Sequence, residues 1–285
     1  LDNVYRPILT NAENLRHTLD RGVFISKGST LDAQNWAQAS YKPTPTIVEA
    51  ARALYAQHSV EAIARFDAGA QNLNVTSRRI EDLVDEARSK NQKYICFVTG
   101  VPGAGKTLVG LNVATQRRDE NASAHAVFLS GNGPLVKVLQ EALTRDEHQR
   151  CKARQDKTRK GVIRKRVESF IQNVHHFRDE VLRDPSKPDE HVVIFDEAQR
   201  AWNLQMTANF MRRKKSLPGF SQSEPEFLIS YMDRHRDWAV VICLVGGGQE
   251  INTGEAGIDT WLEAIQLKFT HWHMHISSRL TDSEY

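Results

Sequence analysis

The chain has 285 residues, 40% of them apolar and 26% charged, with a formal net charge of +3. That length holds one large α/β domain with an accessory segment, or two modest domains. No run of about 18 apolar residues occurs, which excludes a transmembrane helix; with no signal peptide in view, a cytoplasmic protein without a membrane partner is expected. The first residue is Leu1 rather than Met, which suggests a piece of something longer.

Residues 1–43 read as irregular, with one short apolar strand candidate, "GVFIS" at 22–26, and suit the tail of an upstream domain such as a nuclease. "KPTPT" (42–46) is a breaker, and Thr44 or Thr46 is placed to cap the helix that follows, with Pro45 near its first turn. Helical spacing then appears at Ile47, Ala50, Ala51, Leu54 and Tyr55. A second helix is predicted over about 59–66 and a third over 76–89, with Ile80, Leu83, Val84 and Ala87 on one face. Residues 44–90 thus form a helical accessory segment. From Tyr94 the apolar runs 94–99, 125–130, 191–195, 238–246 and 272–277 alternate with helical stretches. Continuous apolar strands are buried on both faces, as in parallel sheets covered by helices. Residues 91–285 therefore predict a doubly wound α/β domain with its ligand at the carboxyl ends of the strands.

"FVTGVPGAGKTLVG" (97–110) is a strand, a glycine-rich loop and a helix start, and it satisfies the phosphate-loop template. Glycine opens backbone conformations closed to other residues, and amide N–H groups at a helix start attract phosphate. Gly100, Pro102, Gly103, Ala104, Gly105, Lys106, Thr107 and Leu108 are the expected nucleotide contacts. Lys106 is expected to reach the β- and γ-phosphates, and the Thr107 hydroxyl to bind Mg²⁺. In "VVIFDEAQR" (192–200), Asp196 arrives at a strand end, where a second magnesium ligand is needed. Glu197 is placed to orient the attacking water and take its proton. In "LVGGGQEINTGEAG" (244–257), Gln249 follows a strand and glycines, a position from which it can sense the γ-phosphate. The acidic pair argues for ATP hydrolysis over phosphoryl transfer to a small molecule, since no acceptor site is evident.

Other features carry weaker signals. Residues 145–166 hold ten Lys/Arg against three Asp/Glu, and Arg212 to Lys215 form a second basic run. Such runs are solvated faces or phosphate-binding surfaces; without interleaved aromatics, 145–166 would meet phosphates rather than bases. "HWHMH" (271–275) sets His271, His273 and His275 on one face of a strand, as zinc ligands or as the outer side of a strand with Trp272, Met274 and Ile276 turned inward. His175 and His176 lie in a helical pattern. Trp202 packs on the core or stacks on a base. Arg200 couples the ATP site to a strand-binding surface or pairs with a local acid. Cys96 and Cys243 fall in apolar runs and read as buried, whereas Cys151 sits in a polar stretch and reads as exposed.

"GVPGAGKT", "FDEAQR" and "GGGQE", in this order, resemble motifs I, II and III of superfamily-one helicases, and "VFLSGNGPLVKVL" (127–139) resembles motif Ia. With "PTPTIVEAARALY", "VVIFDEAQRAWN" and "GGGQEINTGEAG", the chain from about residue 43 is similar to a bacterial family of helicase-like ATPases related to the motor domain of Schlafen proteins. The resemblance implies a RecA-like P-loop lobe that binds ATP and Mg²⁺, with Lys106, Glu197 and Gln249 as catalytic residues and Thr107 and Asp196 on the metal. It places Asn132 in a nucleic-acid-contacting motif; Arg200, read from its own position, is the second candidate contact. It also implies a second RecA-like lobe, or a partner, that supplies an arginine finger; Arg279 is a poor candidate for it. The expected function is the motor core of a DNA or RNA helicase or translocase, with weak hydrolysis by this lobe alone. The alternative is a nucleotide-dependent switch that controls a fused or partner effector without translocation.

Overall fold

A strand sends alternate side chains to opposite faces of its sheet, so a strand apolar at every position needs cover on both. A computed structural model describes residues 10–25, 46–56, 67–100, 103–118, 125–246, 255 and 257–276. Among them, strands β1 (Lys93–Gly100), β2 (Ala126–Ser130), β3 (Ile171–Asn173), β4 (Val192–Asp196), β5 (Ala239–Gly246) and β6 (His273–Ile276) form one sheet. Its order is β3-β2-β4-β5-β1-β6 and every pairing is parallel. This is the α/β architecture of a RecA-like lobe.

The helices are α1 (Leu15–Ile25), α2 (Ile47–Tyr55), α3 (Asp67–Lys90), α4 (Lys106–Gln116), α5 (Gly133–Ala153), α6 (Lys160–Phe170), α7 (Val174–Arg183), α8 (Leu204–Lys215), α9 (Glu224–Met232) and α10 (Asp259–Lys268). Tyr94, Phe128, Ile194, Val240 and Ile242 point into a core that α2 to α6 close. Their strand neighbours Phe97, Leu129, Phe195, Val241 and Cys243 point into a second core, closed by α7 to α10. The chain divides into two compact units, Leu1–Pro43 and Thr44–Tyr285, and the sheet with both cores lies in the second. Helices α2 and α3, read from the sequence as a segment ahead of the first core strand, give Ala51, Leu54, Leu83 and Val84 to the first core. Thr46 is the cap of α2: its hydroxyl accepts from Glu49 N–H, and the Glu49 carboxylate accepts from Thr46 N–H.

Several expectations need correction. The strand candidate at 22–26 falls in helix α1 as far as Ile25, because the helix begins upstream. The Asn11 side chain accepts from the N–H groups of Glu13 and Asn14 in the turn that leads into the helix, whose first bond runs from Thr18 N–H to Asn14 O. The irregular reading of 1–43 fails over the same residues. The helix expected at 59–66 lies outside the described residues. A sixth strand, β3, was not expected. Its Phe128↔Ile171 to Ser130↔Asn173 pairing with β2, and a Gln140 amide hydrogen bond to Ile171 O (2.7 Å), hold three residues extended between two helices. Just before β6, Trp272 turns inward, but within the strand Met274 and Ile276 are exposed, while the rings of His273 and His275 lie against Tyr94. Among the described residues, β6 has a partner on one side only.

All three cysteines are buried, Cys151 included, contrary to its polar neighbourhood in sequence. Burial pushes the Cys96 thiol up to about 11 and raises those of Cys151 and Cys243.

Helix α4 meets the sheet at Gly110. A Cβ there would stand 2.7 Å from Leu244 Cδ1, 3.0 Å from Ile194 Cγ2 and 3.1 Å from Phe128 Cε2. The substitution Gly110→Ala should therefore destabilise the protein by about 1–3 kcal/mol, read as a lower urea midpoint with an unchanged m-value. An unmoved midpoint would show that α4 has slack at this contact.

Candidate nucleotide and magnesium site

Strands β1 and β5 run in register to a common end, Gly100 beside Gly246. From Gly100 the chain turns through Gly103 (φ 82°) and Gly105 (φ 85°), both left-handed, and enters α4 at Lys106. A side chain at Gly105 would be strained by its backbone and would also strike Leu73 Cδ2 at 2.8 Å. Gly105 is the cap residue of α4 and, as a glycine, has no side chain with which to cap it. The first amides of the helix, those of Lys106, Thr107 and Leu108, therefore face the loop, where an anion would be held. Lys106 Nζ donates to Gly100 O at 2.6 Å, so the ammonium folds back over the loop. Gly100, Gly103, Ala104, Gly105, Lys106, Thr107 and Leu108 surround this cradle; Pro102 lies outside the described residues.

The Thr107 hydroxyl donates to Asp196 Oδ1 at 3.0 Å. Strand β5 lies between β1 and β4, so this bond joins the loop side to the far neighbour of β5. Asp196 is buried. Burial, reinforced by the adjacent Glu197, pushes its carboxyl from an ordinary 3.8 up to about 6, although the Thr107 hydrogen bond and Lys106 act against the rise. A buried carboxylate beside a hydroxyl is a donor set for a hard divalent cation, and Mg²⁺ fits these residues.

Glu197 has a left-handed backbone (φ 54°, ψ 48°) and opens a short 3-10 turn, Ala198–Arg200. A non-glycine residue in that region is held there by its surroundings, which is common at functional sites. Its carboxylate accepts from Gln199 Nε2 at 2.5 Å and lies 3.6 Å from Arg200 Nε. Of the two roles open to Arg200, pairing with a local acid is thus observed. Gln199, not singled out in sequence, is buried and doubly bound: its Oε1 also accepts from Gly246 N–H at 3.1 Å. One amide joins the acid after β4 to the end of β5. A glutamine between an acidic pair and an arginine gave little hint of this, because its second partner is 47 residues away. Gln249 and Glu250 lie in 247–254, outside the described residues.

Beside Asp196 and Glu197 opens a cavity of about 540 Å³, whose wall includes Asn132, His175, Arg200 and Trp202. Asn132 Oδ1 caps α5 by accepting from Leu135 N–H, so its amide NH₂ remains to donate. The Trp202 ring is committed to packing: His175, Phe210 and the Arg178 guanidinium lie 5.1, 5.2 and 4.7 Å from it. Arg178 and Glu224 form a buried ion pair at 3.0 Å, and Glu224 Oε2 also accepts from Trp202 N–H. Neither long-range pairing was readable from sequence.

The basic runs are partly paired internally. Glu141 receives Arg145, Lys160 and Arg164 at 2.6–2.9 Å, and its hydrogen bonds from Lys160 and Arg145 hold its carboxyl down at about 2. Arg212 to Lys215 form the last turn of α8, where cations offset the helix dipole, and Lys215 pairs with Asp179 at 2.6 Å. His271 bonds Asp233 at 2.7 Å while His273 and His275 pack on Tyr94, so the described geometry does not assemble these three histidines around one point.

A family model described as Schlafen group 3, DNA/RNA helicase domain, matches residues 93–285, about two thirds of the chain. No curated protein matches it.

Two outcomes follow from this geometry. In the unfolded chain Asp196 titrates near 3.8, and in the native state near 6, so native stability rises as pH falls through that window. Above it, the buried charge is a cost. Without nucleotide or metal, Asp196→Asn should raise stability at about pH 8 by up to about 3 kcal/mol, and the gain should fade by about pH 4. Denaturant melts at both pH values check this; a variant less stable at high pH contradicts it. Gln199→Ala should leave nucleotide affinity within about twofold and lower kcat, with an unchanged fold by circular dichroism. Equal losses in binding and turnover would show that Gln199 supports the whole site rather than orienting Glu197.

Proposed function

Because the chain belongs to the Schlafen group 3 DNA/RNA helicase-domain family, we propose that it binds ATP and Mg²⁺ and hydrolyses ATP as the motor core of a helicase or translocase. The observation that carries this reading is the Thr107–Asp196 hydrogen bond at 3.0 Å. It sets a phosphate-loop hydroxyl and a strand-end carboxylate at one point, as a nucleotide-bound divalent ion requires. Gly100 to Leu108 would hold the phosphates. Lys106 would exchange the Gly100 carbonyl for phosphate oxygens. The chemistry that bound Mg²⁺ supplies is neutralisation of charge across the β- and γ-phosphate oxygens. Glu197 would take a proton from the attacking water, with Gln199 orienting its carboxylate. Gln249, a few residues beyond Gly246, would report on the γ-phosphate.

Asn132 and Arg200 border the same cavity as Asp196, which supports a nucleic-acid strand passing close to the ATP site. A second RecA-like lobe, or a partner, would close the other side and supply an arginine finger, whose contribution in phosphoryl transfer is about 10³–10⁵ in rate. One observation favours a second reading. Glu197 is engaged by both Gln199 and Arg200, as suits a nucleotide-controlled switch in which the base is released only on a signal.

Lys106→Ala should abolish ATP binding or hydrolysis. Glu197→Gln should keep ATP bound and lower kcat by about 10²–10⁴; an active Glu197→Gln enzyme overturns the assignment of the base. Steady-state ATPase assays with and without single-stranded DNA and RNA separate the two readings. Stimulation by either polymer supports the motor, and indifference to both, in the protein with its second lobe, supports the switch.

A further inference from the structure

At the end of the sheet remote from Asp196, where β4 and β5 begin, two imidazoles are stacked. His191 lies between the rings of Trp238 and His235, at centroid distances of 4.4 and 3.9 Å. Each histidine spends one nitrogen on a main-chain carbonyl: His191 Nδ1 donates to Trp238 O at 2.8 Å, and His235 Nε2 to Glu190 O at 2.9 Å. A carbonyl only accepts, so both tautomers are set and lone pairs remain on His191 Nε2 and His235 Nδ1. His235 is fully buried, and its Nδ1 has no hydrogen-bond partner. The closest carboxylate oxygen, Asp237 Oδ1, is 3.9 Å away, beyond hydrogen-bond range. Protonation of the ring is disfavoured, because burial and the neighbouring His191 hold His235 down at about 4. A buried nitrogen lone pair without a partner calls for an explanation.

We propose that His191 Nε2, His235 Nδ1 and the Asp237 carboxylate bind one divalent cation of the zinc class, with water in the fourth position. One ligand atom from each residue lies within 4.8 Å of the others. A tetrahedral ion with bonds of about 2.0–2.1 Å needs ligand atoms about 3.3–3.4 Å apart, so binding would spread the two rings from their 3.9 Å stack and swing in the half-exposed Asp237 side chain. A second nitrogen bound to a carbonyl is how metal-ligating histidines are oriented. Two neutral imidazoles select zinc-like ions over Mg²⁺ or Ca²⁺, which prefer oxygen. The ion would fasten the segment entering β4 to the turn entering β5, independently of nucleotide.

The full chain, stripped with EDTA and desalted, is titrated with ZnCl₂ by equilibrium dialysis, with CoCl₂ absorption as a report on coordination. One tight equivalent is expected, with a tetrahedral cobalt spectrum. Asp237→Ala and His191→Gln, both folded by circular dichroism, should each weaken that equivalent by about 10-fold or more. ZnCl₂ should raise Tm in the unaltered protein and not in Asp237→Ala. The variants retain His271, His273 and His275, so adventitious binding there cancels. The proposal is overturned if the unaltered protein takes up no tight zinc, or if both variants match it in affinity and Tm response.

Discussion

The site depends on how closely α4 can lie on the sheet. Adjacent strands are about 4.8 Å apart, so with β5 interposed, the ends of β1 and β4 are separated by about twice that distance. The phosphate loop leaves β1, yet its hydroxyl partner stands at the end of β4. The helix that starts at the loop closes the gap by crossing over β5 in contact with it. Gly110 makes the crossing possible, because its missing side chain lets the helix backbone rest on Leu244, Ile194 and Phe128, which belong to three different strands. The left-handed turns at Gly103 and Gly105 aim the helix, and the contact at Gly110 sets its depth.

Around that frame the protein accepts local costs where the chemistry is proposed to occur. Asp196 is a buried acid, and Glu197 sits in a sparsely populated backbone region. Both are held by their surroundings rather than by local preference. Trp261 Nε1 donates to Ala198 O, Gly257 N–H to Gln199 O, and Gln199 itself to the Glu197 carboxylate. The turn after β4 is thus tied to α10 and to the end of β5. A displacement of Gly246 would reach Glu197 through one amide side chain, a link that lies past the last β4–β5 pairing, Phe195↔Cys243.

Much of this was legible in the sequence. Core strands announced themselves by unbroken apolar runs, Asp196 by its position at a strand end, and Lys106 by its place after the glycine loop at a helix start. Local chemistry decides those features. The rest rests on distant partners. Strand β3 is three residues long and extended only because β2 and Gln140 take its backbone groups. Arg178 and Glu224 are unremarkable charges in sequence and a buried pair in the fold. His191 and His235 meet because β4 and β5 are adjacent and start level, Val192 beside Val240. The strand candidate "GVFIS" failed for the opposite reason: a helix that starts at Leu15, after the turn at Asn11, continues through the apolar run.

The burial of Cys96, Cys151 and Cys243 has a practical side. The thiolate is the reactive form, and in each case burial pushes the thiol away from it. The natural cysteines should therefore react slowly with maleimide and similar reagents while the protein is folded. A single cysteine introduced on the rim of the cavity beside Asp196, or on the exposed face of β6, would take a fluorophore or spin label selectively in the native state, with the natural cysteines left in place.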